Sequence, residues 1–424
     1  MLRIAVEAVI TVGLLLFVVT PILGQAPVLG QQTMDYQVVT VADGLINPWS
    51  IAFLPEGDML VTERSGRLRL VQGGVLRVQP IQGLPDIVAE SQGGLLDIVL
   101  HPDFESNHWL YFSYTHLIGN GTETTTAVAR GRLENDELID VEDIFLAETH
   151  ARSGHLATRF VEYLLGFIWP RVLDAGSYGS RLAFDTDGYL FITVGDRNFP
   201  IGHRTILGIH IPFTGNLYAH PAQDLSNHHG VVVRLHDDGR IPADNPFVGI
   251  AGAHGAIWSY GHRNSQGLAF HPLTGDLWAN EHGPQGGDEL NVVLPGRNYG
   301  WPVIGYGVNY GSGQTIHEGT LKEGMESPKH LWVPSIAPSG LMIYTGDQFP
   351  AWRGNIFVGG LGGEQLSRLT VDGQTVLHEE PLFQRMGRIR DVRQGPDGYI
   401  YLAIESSDGS PTSLVRLEPV GRGR

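Results

Sequence analysis

The sequence predicts an all-β fold, a six-bladed β-propeller of four-stranded antiparallel blades, on three observations. One phrase recurs six times along the chain. Glycine and proline are abundant, at 56 and 25 of 424 residues, without a collagen period, which marks many tight turns between short strands. No long amphipathic helix pattern competes with the alternating apolar runs.

In chain order, the first segment is MLRIAVEAVITVGLLLFVVTPILGQA (1–26). Arg3 gives a positive start, Val9–Val19 an apolar centre, and Gly24-Gln25-Ala26 small residues where a signal peptidase reads. It reads as a secretory signal peptide, cleaved near Ala26. The alternative is a retained membrane anchor, for which the apolar run is short. Cleavage places the mature protein in the periplasm or outside the cell, with no stable insertion in the membrane. The propeller then occupies residues 35–420, with irregular insertions at about 153–176 and 198–222.

The strand DYQVVTVADG (35–44) is expected to complete the last blade and close the ring. The six copies follow: WSIAFLPEGDMLVTE (49–63), LDIVLHPDFESNHWLYFSY (96–114), SRLAFDTDGYLFITVGD (180–196), QGLAFHPLTGDLWANE (266–281), SGLMIYTGDQFPAWRGNIFVGG (339–360) and IRDVRQGPDGYIYLAIE (389–405). Several are followed by an expected outer strand: GRLRLVQ (66–72), VVVRLHDDG (231–239), LSRLTVDG (366–373) and SLVRLEP (413–419). A unit of this length buries only one face by itself, so the copies must stack radially around an axis. Function is then expected on the loops of one face, around the channel.

Composition excludes several classes. Hydrophobic residues at 42% and charged residues at 17% fill a core and argue against disorder. A formal net charge of −17 repels nucleic acid and favours cations. With no cysteine there is no disulfide, thiolate metal site, cysteine nucleophile or lipid-anchored cysteine.

The most distinctive phrases are YGHRNSQGLAF (260–270), NEHGPQGGDELN (280–291) and NYGWPVIGYGVNY (298–310). With ESQGGLLDIVLHPDF (90–104), QDLSNHHGVVVRL (223–235), DGRIPADNPF (238–247) and GRIRDVRQGPDGYIY (387–401), the chain resembles the soluble quinoprotein aldose dehydrogenases, the glucose/sorbosone dehydrogenase family. The resemblance runs from about Gly44 to Leu417 and is interrupted around 153–222. It implies a six-bladed propeller holding pyrroloquinoline quinone (PQQ) and Ca²⁺. It further implies oxidation of an aldose sugar at C1 to the lactone, with electrons passed to an external acceptor.

That cofactor is a planar quinone with three carboxylates, which guanidinium forks match in a bidentate way. By the resemblance, Gln92, Arg263, Asn264, Tyr310, Arg388 and Arg390 fall at cofactor-contacting positions. Strict alternation would point Arg388 and Arg390 to one face. Read alone, those arginines serve equally as ties between blades, and Gln92 beside Gly93-Gly94 equally as a turn residue. Calcium takes hard oxygen ligands, including backbone carbonyls. The resemblance assigns carbonyls at Gly283 and Pro284 to the cofactor's calcium, and Glu289 and Tyr299 to a further calcium. Read alone, Asp288-Glu289 is a solvated turn, and His282, His228 and His229 are structural.

In the family the catalytic base is a histidine just before the third inner strand, in a phrase like Gly-x-His-Phe-Gly-Ser-Arg. Here Gly176-Ser177-Tyr178-Gly179-Ser180-Arg181 stands there, with Ser177 at the histidine's place. Serine needs an activating partner to act near neutral pH. An upstream phrase, Gly154-His155-Leu156-Ala157-Thr158-Arg159, makes His155 the expected base; the alternative is a displaced surface loop and a crippled enzyme. Gly360-Leu361-Gly362 lacks a lysine that some members carry nearby. Two rival readings follow: a calcium-dependent propeller lactonase or esterase, and a sugar-binding propeller that has lost its base. The sequence leaves the sugar, the acceptor and homodimer formation open.

Overall fold

The computed structural model describes residues 35–118, 123–148, 176–198, 203–206, 209–212, 216–310 and 312–420. The expected signal segment and His155 lie outside them, as do nearly all of the first expected insertion and part of the second.

Strand β1 (Tyr36–Leu45) opens the described chain. Blade 1 is β2 (Pro48–Phe53), β3 (Met59–Glu63), β4 (Arg67–Gln72) and β5 (Val75–Leu76). Blade 2 is β6 (Leu95–Leu100), β7 (Trp109–Ile118), β8 (Glu123–Glu134) and β9 (Glu137–Leu146). Blade 3 begins with β10 (Gly179–Phe184) and β11 (Leu190–Val194). A separate ribbon, β12 (His203–Ile206) and β13 (Ile209–Pro212), precedes its last strands, β14 (Val231–Leu235) and β15 (Ile257–Tyr260). Blade 4 is β16 (Ser265–Phe270), β17 (Leu277–Glu281), β18 (Asp288–Val292) and β19 (His330–Trp332). Blade 5 is β20 (Pro338–Ile343), β21 (Ile356–Gly360), β22 (Gln365–Asp372) and β23 (Thr375–Leu382). Blade 6 is β24 (Arg388–Gln394), β25 (Ile400–Glu405) and β26 (Thr412–Pro419), completed by β1.

This is the expected six-bladed propeller, and β1 pairs antiparallel with β26 to close it. The segments expected as outer strands are instead the third strands β4, β14, β22 and β26. The outermost positions fall to β5, β15, β23 and β1. β5 and β15 have only two and four residues, too few to show alternation.

Each neighbouring pair of blades shares an apolar cluster among the described residues. Leu60 and Leu70 meet Phe112 between blades 1 and 2, and Tyr111 and Val128 meet Leu182 and Ile192 between 2 and 3. Phe191 meets Leu268 and Leu277 between 3 and 4, and Trp278 meets Leu341 and Val358 between 4 and 5. Phe357 meets Leu402 between 5 and 6, and Ile51 and Val61 meet Leu414 across the closure.

All six innermost strands carry a register shift near their start: at Pro48/Ser50, Leu95/Ile98, Gly179/Leu182, Ser265/Gly267, Pro338/Leu341 and Ile389/Asp391. A bulge of this kind re-aims side chains that regular pleating would send elsewhere. Here it supplies a buried polar belt around the axis. Arg181 Nη1 donates to Asp97 Oδ1 (3.1 Å) and Asp391 Oδ1 (3.0 Å), and its Nε to the Gln266 carbonyl (2.9 Å). Arg393 reaches the same two carboxylates, both at 2.9 Å. Ser50 Oγ and the Leu182 N–H also donate to Asp97, and the Ile51 N–H to Asp391.

Candidate active site

Above that belt lies an axial cavity of about 310 Å³, within the roughly 300–1,000 Å³ of small-molecule sites. Its lining comes from the starts of inner strands and the hairpins between second and third strands, which share one face of the propeller. Trp49, Leu96, Gln266, Arg388 and Arg390 come from the inner strands. Arg64, His282 and Leu361 come from the β3–β4, β17–β18 and β21–β22 hairpins, and Glu405 ends β25. Gln92, Tyr178, Gly179 and Ala337 stand at or just before inner strands.

The wall is cationic. Arg390 Nε and Nη2 both reach Glu405 Oε2 at 2.6 Å. Burial alone would raise the Glu405 carboxyl; the Arg390 guanidinium outweighs it and holds the group below its ordinary value. Arg388 donates through Nη1 to the Leu361 carbonyl (3.2 Å), while its buried Nε has no partner among the described residues. With Arg64, three guanidiniums face one carboxylate. The expected alternation of Arg388 and Arg390 is interrupted by the bulge at Ile389/Asp391, yet both line the cavity.

Gln92 Oε1 accepts the Ser177 N–H (2.9 Å), so its amide nitrogen is what it can offer a ligand. Asn264 sits behind the wall, 1% exposed, its Oδ1 accepting from the Gly179 N–H and Gln266 Nε2. Tyr310 is 62% exposed and borders neither this cavity nor the one beside it.

The second cavity is about 20 Å³ and gathers all four expected metal positions, Gly283, Pro284, Glu289 and Tyr299, together with Arg263 and Glu281. His282 lines both cavities. Glu281 and Glu289 are directly opposed across β17 and β18, and Asn291 Nδ2 donates to both. Burial, with the Glu281 charge added, pushes the Glu289 carboxyl up to about 8. Glu281 is matched by His262 Nδ1 (3.0 Å) and the Arg263 N–H (2.6 Å). Arg263 Nη1 donates to the carbonyls of Gly283 (2.8 Å) and His282 (3.1 Å). The Tyr299 hydroxyl is committed to the Val292 carbonyl (2.5 Å) and the Leu294 N–H (2.8 Å).

Asp288 corrects the solvated-turn reading of its pair. It is fully buried and accepts from the Gly283 N–H, Ser335 Oγ and the Ala337 N–H. His282 donates from Nε2 to the Pro338 carbonyl (2.7 Å), and burial lowers its pKa to about 4, leaving it neutral. His228 accepts the Glu148 N–H and packs on His254, as a structural residue does. Among the described residues no three His, Asp or Glu side chains form a metal cluster, so a cation here would need carbonyl ligands as well.

Ser177 is 2% exposed, and its Oγ donates to Asn198 Oδ1 (2.6 Å). Nearby Asp196 is buried and accepts from Trp301 Nε1 (2.9 Å) and the Asn198 N–H (2.8 Å); burial raises its pKa against the Arg263 charge. Sequence reasoning missed Arg64, Glu281 and Glu405 as lining residues. A signal for them was present: copies 1, 4 and 6 end LVTE, WANE and LAIE, so Glu63, Glu281 and Glu405 close equivalent second strands, and Arg64 and His282 follow two of them.

With this geometry established, comparison with known proteins adds three kinds of likeness. Residues 45–416 match the Glucose / Sorbosone dehydrogenase family. The aldose sugar dehydrogenase YliI of Escherichia coli K12 is 38% identical over 407 residues, covering 95% of this chain and 98% of that protein. The soluble aldose sugar dehydrogenase of E. coli in its apo form superposes with a TM-score of 0.76 at 36% identity, covering 91% of this chain and all of that one. The PQQ-bound aldose sugar dehydrogenase of Streptomyces coelicolor superposes with a TM-score of 0.65 at 25% identity, covering 91% and 98%.

Proposed function

The chain belongs to the glucose/sorbosone dehydrogenase family, and from that premise we propose that it oxidises aldose sugars at C1 to the lactone using PQQ and calcium. The observation that carries this is the axial cavity, where, among the described residues, Arg64, Arg388 and Arg390 face the single carboxylate of Glu405. Such a cavity suits a polycarboxylate, and the buried, unpartnered Nε of Arg388 suits an acceptor brought by a ligand. Opposed carboxylates and nearby carbonyls in the smaller cavity suit a hard cation.

Held by Arg388, Arg390 and Gln92, such a quinone would supply the hydride acceptor, and a calcium ion near Gly283, Pro284 and Glu289 would supply a Lewis acid. The protein's own residues do the rest. Arg388 and Arg390 hold carboxylates, and the Gln92 amide donates to the ligand edge. The anomeric hydroxyl proton needs a base within hydrogen-bond reach. Ser177 Oγ donates to the Asn198 amide oxygen and also interacts with the buried Asp196; a serine hydroxyl is itself no base near neutral pH, and in this reading the task falls to His155. In this reading the partners are an aldose and an external electron acceptor, and the protein works in the periplasm or outside the cell. Among the described residues no helix is long and apolar enough to cross a membrane.

Ser177 also favours a second reading, a sugar-binding propeller without turnover. The lactonase reading has less support, because the axial carboxylates Asp97 and Asp391 are bound by Arg181 and Arg393. The test is reconstitution with PQQ and Ca²⁺, followed by dye reduction with aldoses. Sugar-dependent reduction supports the dehydrogenase. Sugar binding without reduction supports the second reading, and no quinone binding removes the dehydrogenase reading.

A further inference from the structure

We infer that Arg64 is a further cofactor-holding residue, gripping a carboxylate of the bound quinone from the blade 1 side of the axial cavity. The inference rests on the PQQ reading above and deepens it.

Arg64 is built into place. It sits in the hairpin between β3 and β4, directly after Glu63. Its N–H donates to the Asn47 carbonyl (3.0 Å), and its carbonyl accepts the Leu95 N–H (3.1 Å). Its Nη1 donates to the Ser91 carbonyl (3.0 Å). The loop carrying Gln92 therefore also anchors this guanidinium.

Gly94 lets that loop close over Arg64. Its φ is 142°, and a Cβ there would stand 1.8 Å from the Arg64 carbonyl oxygen and 2.7 Å from Arg64 Cγ. Only glycine fits such an approach.

The charge balance also calls for a ligand. Among the described residues Glu405 is the one carboxylate lining the cavity, and Arg390 already holds it through two nitrogens. Among the described residues no ion pair serves Arg64, and one Nη1 on a carbonyl leaves most of its fork open. Three guanidiniums against one carboxylate leave an excess of two positive charges, which suits a ligand bearing several carboxylates rather than a neutral sugar. Arg388 and Arg390 stand on blade 6 and Arg64 on blade 1, so one planar polyacid could be held from two adjacent blades.

The experiment titrates PQQ and its trimethyl ester into the Ca²⁺-loaded full chain, followed by quenching of tryptophan fluorescence. Wild type, Arg64→Ala and Arg64→Lys are compared. Loss of a charge-assisted fork should weaken PQQ binding by Arg64→Ala roughly 10- to 100-fold. The uncharged ester should bind wild type and variant alike, and Arg64→Lys should retain part of the acid-over-ester preference. Equal PQQ affinity in wild type and Arg64→Ala overturns the inference and leaves the quinone reading intact. Equal losses for acid and ester also overturn it, since Arg64 would then only hold the loop. Failure of wild type to bind PQQ removes the quinone reading itself.

Discussion

Replacing Arg181 with methionine should be among the most damaging single changes in this protein. Its side chain is 1% exposed, and its guanidinium lies 4.2 Å above the Trp49 ring. It neutralises Asp97 and Asp391 jointly with Arg393. The belt is balanced at two cations and two carboxylates, so the variant leaves one buried negative charge uncompensated. Breaking a buried ion network in this way costs about 3–5 kcal/mol. At about 2.1 cal/mol/K per residue, a domain approaching 400 residues has an unfolding entropy near 0.8 kcal/mol/K, so Tm should fall by about 5 °C. Denaturant titration and scanning calorimetry measure both. The control is Arg77→Met, which removes the 2.5 Å pair with Asp136, whose side chains are 43% and 51% exposed; it should cost about 0–1 kcal/mol. Arg181→Met/Asp97→Asn, with the charge balance restored, should lose less than the sum of its single variants. An Arg181→Met loss no larger than the control's would refute the reasoning.

Four further outcomes are expected. Arg390→Ala should weaken PQQ binding by about 1.5–3 kcal/mol in a fluorescence titration, because the charge-assisted contact is lost; unchanged affinity discards that residue. Chelation should abolish sugar-dependent dye reduction, and Ca²⁺ at 100 times its Kd should restore about 2.7 kcal/mol of stability; full activity and unchanged melting after chelation remove the calcium role. Glu289, with its folded pKa raised to about 8, favours the folded state while protonated, so the cation-free protein should lose stability as pH rises from about 4.5 to 8. Glu289→Gln should flatten that slope in melting curves, and an unaltered slope rejects the assignment. Finally, Ser177→His should raise turnover if the base is missing, since histidine tolerates the φ of 49° there; if turnover instead stays unchanged and His155→Ala abolishes it, His155 is the base.

The blades were legible because each repeat spells two alternating strands around a Gly or Pro turn, as in LAFDTDGYLFITV and LAFHPLTGDLWAN. Closure by β1 was legible for the same reason. Three other outermost strands were not: β5, β15 and β19 have two to four residues. At the site, Gln92, Arg388 and Arg390 were found through their phrases, and the structure brings them to one cavity. Arg64 and Glu405 lie in hairpins more than 300 residues apart in sequence and meet only because the ring closes. The inner-strand bulges escaped too, since no one residue type is common to the unpaired positions, which include Trp49, Leu96 and Gln266.

The pairing of β1 with β26 sets an order of events. Leu45 and Thr412, which face each other in that ladder, are 367 residues apart. At about 5–20 residues per second, a ribosome makes the second strand roughly 20–70 s after the first. Until then β1 presents an unpaired edge, the kind of surface that recruits other chains. Blades 1 to 5 can each assemble from contiguous segments as they emerge, but blade 6 waits for the last strand. The axial cavity, whose walls include both blade 1 and blade 6, is therefore completed only after nearly the whole chain has been synthesised.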